Sequence, residues 1–266
     1  MTETYLERLK PERLPSPGFV VDEAKLRANA AILDEVQRRT GAKILLALKC
    51  FSMWDVFPLL SRTGEGPLYG CCASSPDEAR LARDCFGGEV HAFAAGYSEE
   101  DMCELVETAD HILFNSFAQW ERLKGIIEAR NETREKPIEC GIRVNPEHSE
   151  GAVPIYDPCA PGSRLGVRLR EFERFASAGG CPAQTPPPGL KGISGLHFHT
   201  LCEQGADALD RTLKAFEMKF GRYLKGLKWM NFGGGHHITK EGFDLDLLCS
   251  CIGRVRDRYG GQVYLE

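Results

Sequence analysis

Short apolar runs recur along the chain, each closed by a polar or turn-forming residue: KILLALK (43–49), LYGCCA (68–73), EVHAFA (89–94), HILFN (111–115), IECGIRVN (138–145), ISGLHFHT (193–200), KWMNFGG (228–234) and VYLE (263–266). Their short length and apolar, β-favouring content predict strands. Between them the apolar spacing becomes helical. In GADALDRTLKAFEMKFGRYL, Leu209, Leu213, Phe216 and Phe220 share one face, and in DEAKLRANAAILDEVQRR, Leu26, Ala30, Leu33 and Val36 do the same ahead of the first strand. In SSPDEARLARDCF, Ser75 is positioned to cap, Pro76 suits the first turn, and Glu78 stands where it would complete a capping box.

Strands alternating with helices predict right-handed βαβ units and a parallel sheet. Eight such strands match a closed (β/α)8 TIM barrel of the α/β class, with the leading helix filling the eighth helical position. Two connections are long and read as loops: PEHSEGAVPIYDPCAPGSRLGV after the fifth strand, on the C-terminal face where barrel chemistry sits, and the proline-rich AGGCPAQTPPPGLKG before the sixth.

Composition narrows the function. The 266 residues are 42% hydrophobic, enough for a full core, and carry a net charge of −5 without a basic excess, which argues against nucleic acid. The opening MTETYLERLK has no apolar leader region and no span is long enough for a bilayer, so no membrane association and a cytoplasmic location are expected. The 11 cysteines form no C-x-x-C pair and are expected to be reduced, mostly as buried small hydrophobes.

Candidate chemistry collects at predicted strand ends: Lys49 on strand one, Arg143 on five, His199 on six, Gly233, Gly234 and Gly235 after seven, Glu266 on eight. Each alone has an ordinary structural explanation; residues at these ends of a barrel share one mouth. Three consecutive glycines in NFGGGHH allow close approach to an anion and offer N–H donors where barrels commonly hold phosphate. A phosphate site with a strand-end lysine points to pyridoxal phosphate, held as a Schiff base on Lys49, with an apolar strand depressing the lysine pKa, a glutamate by the ring nitrogen and His199 flat on the ring. The competing reading of GLHFHT is metal: His197 and His199 face the same way and His236 or His237 could join them. Barrel metallohydrolases usually open with H-x-H on the first strand and need a later Asp, neither evident here, so no metal is expected.

ILLALKCFS, APGSRLGV, GLHFHTLCEQ and NFGGGHHIT together resemble the carboxynorspermidine (carboxyspermidine) decarboxylases, a branch of the alanine racemase-like, ornithine decarboxylase-like (fold type III) pyridoxal phosphate enzymes. The resemblance runs from about Pro15 to Glu266. It implies Lys49 as the Schiff-base lysine, His199 stacked on the ring, Gly233 to Gly235 as phosphate loop with Cys202 where relatives place a phosphate-contacting serine, Arg143 near the cofactor and Glu266 on the pyridine nitrogen. It implies loss of carbon dioxide from a polyamine-type substrate, with Glu266 and, more weakly, Asp157 facing the substrate. Members of that family continue into a β-rich domain that completes the site across a homodimer interface. Residues 1–21 are accordingly expected to pair with that domain, PGFVVD as an orphan strand, and 22–266 to form the barrel. Glu266 is expected on a frayed end, and this chain is expected to be a partial form with weak or no activity. A single-domain cofactor carrier without robust catalysis is the alternative, and a racemase using a tyrosine base from the further domain is a third.

Overall fold

Eight parallel strands close into a barrel in chain order: β1 (Lys43–Ala47), β2 (Gly70–Ala73), β3 (Glu89–Phe93), β4 (His111–Phe114), β5 (Glu139–Arg143), β6 (Ile193–His197), β7 (Trp229–Asn231) and β8 (Gln262–Leu265). Lys43 pairs with Tyr264 and Ile44 with Leu265 to seal the ring. The computed structural model describes residues 10–151, 153–177 and 188–266. The predicted strands are all present, but several run two or three residues too far. The ladder stops at Ala47, Arg143, His197 and Asn231, and the residues just beyond turn into the mouth.

Alternation divides the strands between two cores. Inward-facing Leu45, Cys72, Leu113, Trp229 and Tyr264 fill the barrel, while outward-facing residues such as Ile44, Val90, Ile142 and Leu196 pack beneath the helices. The Trp229 indole occupies the barrel because β5 and β6 offer glycine opposite it: a Cβ on Gly195 would come within 2.1 Å of the indole and one on Gly141 within 2.2 Å.

The outer layer is α1 (Glu23–Thr40), α2 (Phe57–Leu60), α3 (Pro76–Leu81), α4 (Glu99–Thr108), α5 (Phe117–Asn131), α6 (Leu169–Ala176), α7 (Ala206–Leu224) and α8 (Leu245–Tyr259). Helix α1 packs against α8 and α2, which puts the leading helix in the eighth position as expected. Its N-terminus is capped by Asp22, which accepts from the Lys25 N–H at 3.1 Å, and left-handed Gly41 ends it. The predicted face of α7 is buried at all four positions. Ser75 caps α3, but the Glu78 carboxylate turns back to the N–H and hydroxyl of Ser74 rather than to Ser75, so the box is not reciprocal. The reciprocal capping box is at α4, between Ser98 and Asp101. No described helix is long and apolar enough to cross a membrane.

The connection after β5 is held down at several points. Val144 bridges to Val167, a short turn forms at Pro154–Tyr156, Arg211 on α7 grips Glu150 with two contacts of 2.6 Å, and Lys219 pairs with Glu147 at 2.7 Å. Of the proline-rich connection, residues 178–187 lie outside the described residues; Pro188–Leu190 form a turn. Phe19 and Val20 of PGFVVD are exposed and in no strand. The described cysteines are all free, but only Cys71, Cys72, Cys140 and Cys251 are buried. Cys50 and Cys202 lie instead on turns at the mouth, and Cys85 and Cys103 on outer helical segments, where water reaches them.

Candidate active site

Beyond the last rung of the ladder, strand-end residues surround a cavity of about 280 Å³ lined by Lys49, Cys72, Ser74, Phe93, Arg143, Tyr156, Leu201, Cys202, His199 and Glu266 among others. Five residues singled out from sequence, drawn from four strand ends and the turn after β6, thus meet at one opening.

Lys49 does not extend an apolar strand. It sits in a turn two residues past the end of β1 and is exposed, because the chain leaves the ladder at Ala47 and swings the side chain to the open mouth. Its ammonium has no hydrogen bond or ion pair among the described residues, though it lines the cavity. A desolvating apolar strand is therefore not its setting here.

Glu266 is the reverse case. Its side chain is only 5% exposed, and its backbone N–H donates to Gly233 O at 3.0 Å, so it is ordered by the β7 turn rather than frayed. Burial opposes its ionisation, but His197, then His199, with the Cys72 thiol alongside, outweigh that and hold the carboxyl below the usual range. The Asn231 amide donates to Oε1 at 2.9 Å; His197 Nε2 stands 3.6 Å from Oε1 and His199 Nδ1 3.5 Å from Oε2. Burial above all, and Arg143 among its neighbours, lower the His197 pKa to about 3, so that ring is neutral at pH 7.

Arg143 is buried, stacks on the Phe93 ring at 4.8 Å and donates to the His199 carbonyl at 3.0 Å. Desolvation lowers its pKa to about 10, which still leaves it charged. It therefore brings positive charge to a nearly dry wall of the cavity.

The glycine turn lies behind His199. Gly233 and Gly235 have φ of +70° and +83°, and side chains there would collide with Phe198 O at 2.5 Å and Leu201 O at 2.1 Å, so the tight approach requires glycine. The Gly233 N–H already donates to Asn231 Oδ1 at 2.8 Å, and that of Gly234 points at His199 Nδ1 at 3.4 Å. Gly235 alone of the three keeps an N–H without an acceptor among the described residues. Cys202 is exposed on the cavity rim, its N–H donating to Gln204 Oε1 at 3.3 Å.

Asp157 is not part of the cavity wall. Its carboxylate accepts from the Ser149 hydroxyl and from the Cys159 N–H at 2.7 Å, fixing its own loop, while Tyr156 and Pro158 on either side face the opening. Among the described residues the grouping of His197 and His199 with His236 or His237 as metal ligands is not formed: the last two are half-buried in the turn after β7, and the third ligand-type group beside His197 and His199 is Glu266. The Asn231 amide already points at that carboxylate, where a cation would need a lone pair.

Sequence reasoning missed Asn231, Cys72, Phe93 and Tyr156. Asn231 carried a usable signal, since an amide in a central strand whose neighbours are Trp and Met has to be satisfied there. The rest are ordinary apolar or loop residues until the ring closes.

No family model matches the chain. It is 38% identical over 255 residues to the carboxynorspermidine/carboxyspermidine decarboxylase of Campylobacter jejuni, covering 96% of this chain and 60% of that protein. It is 39% identical over 254 residues to the carboxyaminopropylagmatine decarboxylase of Synechocystis sp., with coverage of 96% and 60%. The chain thus spans about 60% of the length of these curated relatives. The crystal structure of Campylobacter jejuni carboxynorspermidine decarboxylase complexed with norspermidine superposes with a TM-score of 0.77 at 36% identity, covering 95% of this chain and 59% of that one. Diaminopimelate decarboxylase from Helicobacter pylori, 17% identical with a TM-score of 0.75 over 98% of this chain and 65% of that one, shares the barrel fold. Along its barrel the chain is similar in sequence to these decarboxylases and shares their barrel fold.

Proposed function

We propose that this chain, homologous over its barrel to polyamine-forming decarboxylases, carries the cofactor-binding half of a pyridoxal phosphate-dependent decarboxylase. Its substrates are carboxylated polyamines of the carboxynorspermidine and carboxyspermidine type, converted to norspermidine or spermidine. The observation that carries this reading is the convergence, on one cavity of about 280 Å³, of a Lys49 amine without a partner among the described residues and a buried, ionised Glu266.

The residues present fit the cofactor. Among the described residues Lys49 offers a primary amine with no competing partner and Gly235 an uncommitted N–H next to a turn that tolerates no side chain; Glu266 offers an anionic acceptor for a protonated ring nitrogen and Arg143 a fixed positive charge. Cys202 on the rim would contact the phosphate and His199 would cover a ring face. When bound, pyridoxal phosphate supplies an electron sink for the pair released as a carboxylate leaves as carbon dioxide. The chain's own part is electrostatic and positional. Lys49 would hold the cofactor's reactive end, Glu266 would favour a proton on its ring nitrogen, and Arg143 with Phe93 would exclude water from one wall.

Phe19 and Val20, exposed ahead of α1, support reading residues 1–21 as a segment that pairs with a further β domain; on this proposal the complete protein is a cytoplasmic homodimer. The test is carbon dioxide release by the full-length protein from carboxynorspermidine and carboxyspermidine, with carboxyaminopropylagmatine as competitor. Turnover of either, abolished by Lys49→Ala, is expected. Lysine-dependent uptake of pyridoxal phosphate without turnover of any of the three would replace this reading by the carrier.

A further inference from the structure

His197 is fully buried in the barrel, and neither ring nitrogen has a hydrogen-bond partner among the described residues. Such a group costs stability that an apolar ring of similar size would not, so packing alone does not account for it. Its surroundings are few. Register places Arg143 on β5 to one side and Asn231 on β7 to the other, the Phe93 ring meets it edge-on at 5.3 Å, and the His199 ring stands perpendicular at 6.2 Å. The polar atom it faces is Glu266 Oε1, 3.6 Å from Nε2.

The other histidine cannot serve that carboxylate in the same way. His199 Nδ1 receives the Gly234 N–H at 3.4 Å, which in a neutral ring makes Nδ1 the acceptor and puts the proton on Nε2. On Oε1, Glu266 then has the Asn231 amide and a His197 ring protonated at Nε2, with the Cys72 thiol as a further donor to the carboxylate. Oε2, with the acceptor Nδ1 of His199 3.5 Å away, faces the cavity.

We propose that His197 is a positioning residue: its buried imidazole donates to Oε1, and together with Asn231 it holds Glu266 ionised and turned so that Oε2 meets the cofactor's ring nitrogen. The inference rests on the pyridoxal phosphate reading above. The gap of 3.6 Å is longer than a hydrogen bond and closes when Oε2 takes up its proton donor.

The experiment uses full-length protein with His197→Phe, His197→Gln, Glu266→Gln and the Phe/Gln double variant. It reads the dissociation constant for pyridoxal phosphate, the pH titration of the bound cofactor's visible absorption, and the melting temperature without cofactor. His197→Phe should weaken cofactor binding about tenfold and shift the titration by about one pH unit, without lowering the cofactor-free melting temperature. His197→Gln, which restores an N–H, should recover to within about threefold, and His197→Phe should add nothing once Glu266 is Gln. A Phe variant that binds and titrates as the parent overturns the proposal. So does a folded Gln variant as impaired as Phe, or one that loses affinity where Phe cannot be purified folded. Parent protein without a Lys49-dependent absorption band would overturn the functional reading itself, whereas a normal parent with a silent His197→Phe overturns this inference alone.

Discussion

The barrel interior holds one carboxylate with two histidines at each end, and the two clusters behave differently. At the N-terminal end Glu89 lies beside His91 and His111; at the C-terminal end Glu266 lies beside His197 and His199. Glu89 is answered from all sides: Lys43 forms an ion pair with it, the Tyr264 hydroxyl donates at 2.9 Å, and His91 Nε2 is 3.3 Å away. The His91 and His111 rings stack nearly parallel at 3.9 Å, which turns their lone pairs side by side rather than onto a shared point. Burial opposes ionisation of Glu89, but His91 and Lys43 overcome it, and the cluster is internally neutralised. Glu266 has an amide, a thiol and two loosely placed rings, and it borders open space shared with a lysine that has no partner among the described residues. The same residue types make a structural plug where every charge is matched and a binding site where one amine and one carboxylate oxygen are left for something else.

The strongest way to break that contrast is at the unpaired amine. Lys49→Ala should lower carbon dioxide release by the full-length protein on the order of 10³-fold or more while leaving folding intact; a variant within tenfold of the parent would remove the distinction. Next come the two carboxylates. Glu266→Gln should cut turnover on the order of 10²-fold with little change in the denaturation midpoint. Glu89→Gln should do the opposite, costing about 2 kcal/mol by stranding Lys43, less than for a fully buried pair because both side chains keep some water, at 24% and 17% exposure, with turnover per folded molecule unchanged. Equal effects of the two on stability would show that the ends are not different in kind.

Acid sharpens the comparison further. Burial, with His91 beside it, lowers the His111 pKa to about 2, and His197 and His236 are lowered to about 3 and about 4 from an ordinary value of 6.5. Below pH 6.5 the unfolded chain binds protons that the folded one does not, so stability falls with pH, by about 1.4 kcal/mol per unit for each histidine. Below the ordinary carboxylate range Glu89 and Glu266, both held low, add to the loss in the same direction. Urea midpoints between pH 6.5 and 4 should show this slope, and His111→Phe should reduce it by about one proton; an unchanged slope would place His111 outside the titration. The smallest effect is expected at the clamp on the loop that carries Tyr156 over the cavity. Arg211→Ala, which releases Glu150, should raise KM about threefold with kcat unchanged.

Much of this was legible in the chain itself, and the reasons lie in local chemistry. The switch of apolar period between continuous and 3.6 fixed eight strands and the helices over them, Ser75 and the face of α7 included, because these depend on neighbours within one turn or one strand. Strand-end position also brought Lys49, Arg143, His199 and Glu266 to one mouth. Other properties needed the closed ring. The partner that Glu78 chooses, the exposure of Lys49, the burial of Glu266 and the role of Asn231 are set by groups brought near from elsewhere in the chain or by where the ladder ends. A sequence gives each side chain its donors and charge; only the fold decides which of those are matched and which are left facing open space, and that residue of unmatched groups is where this barrel can act.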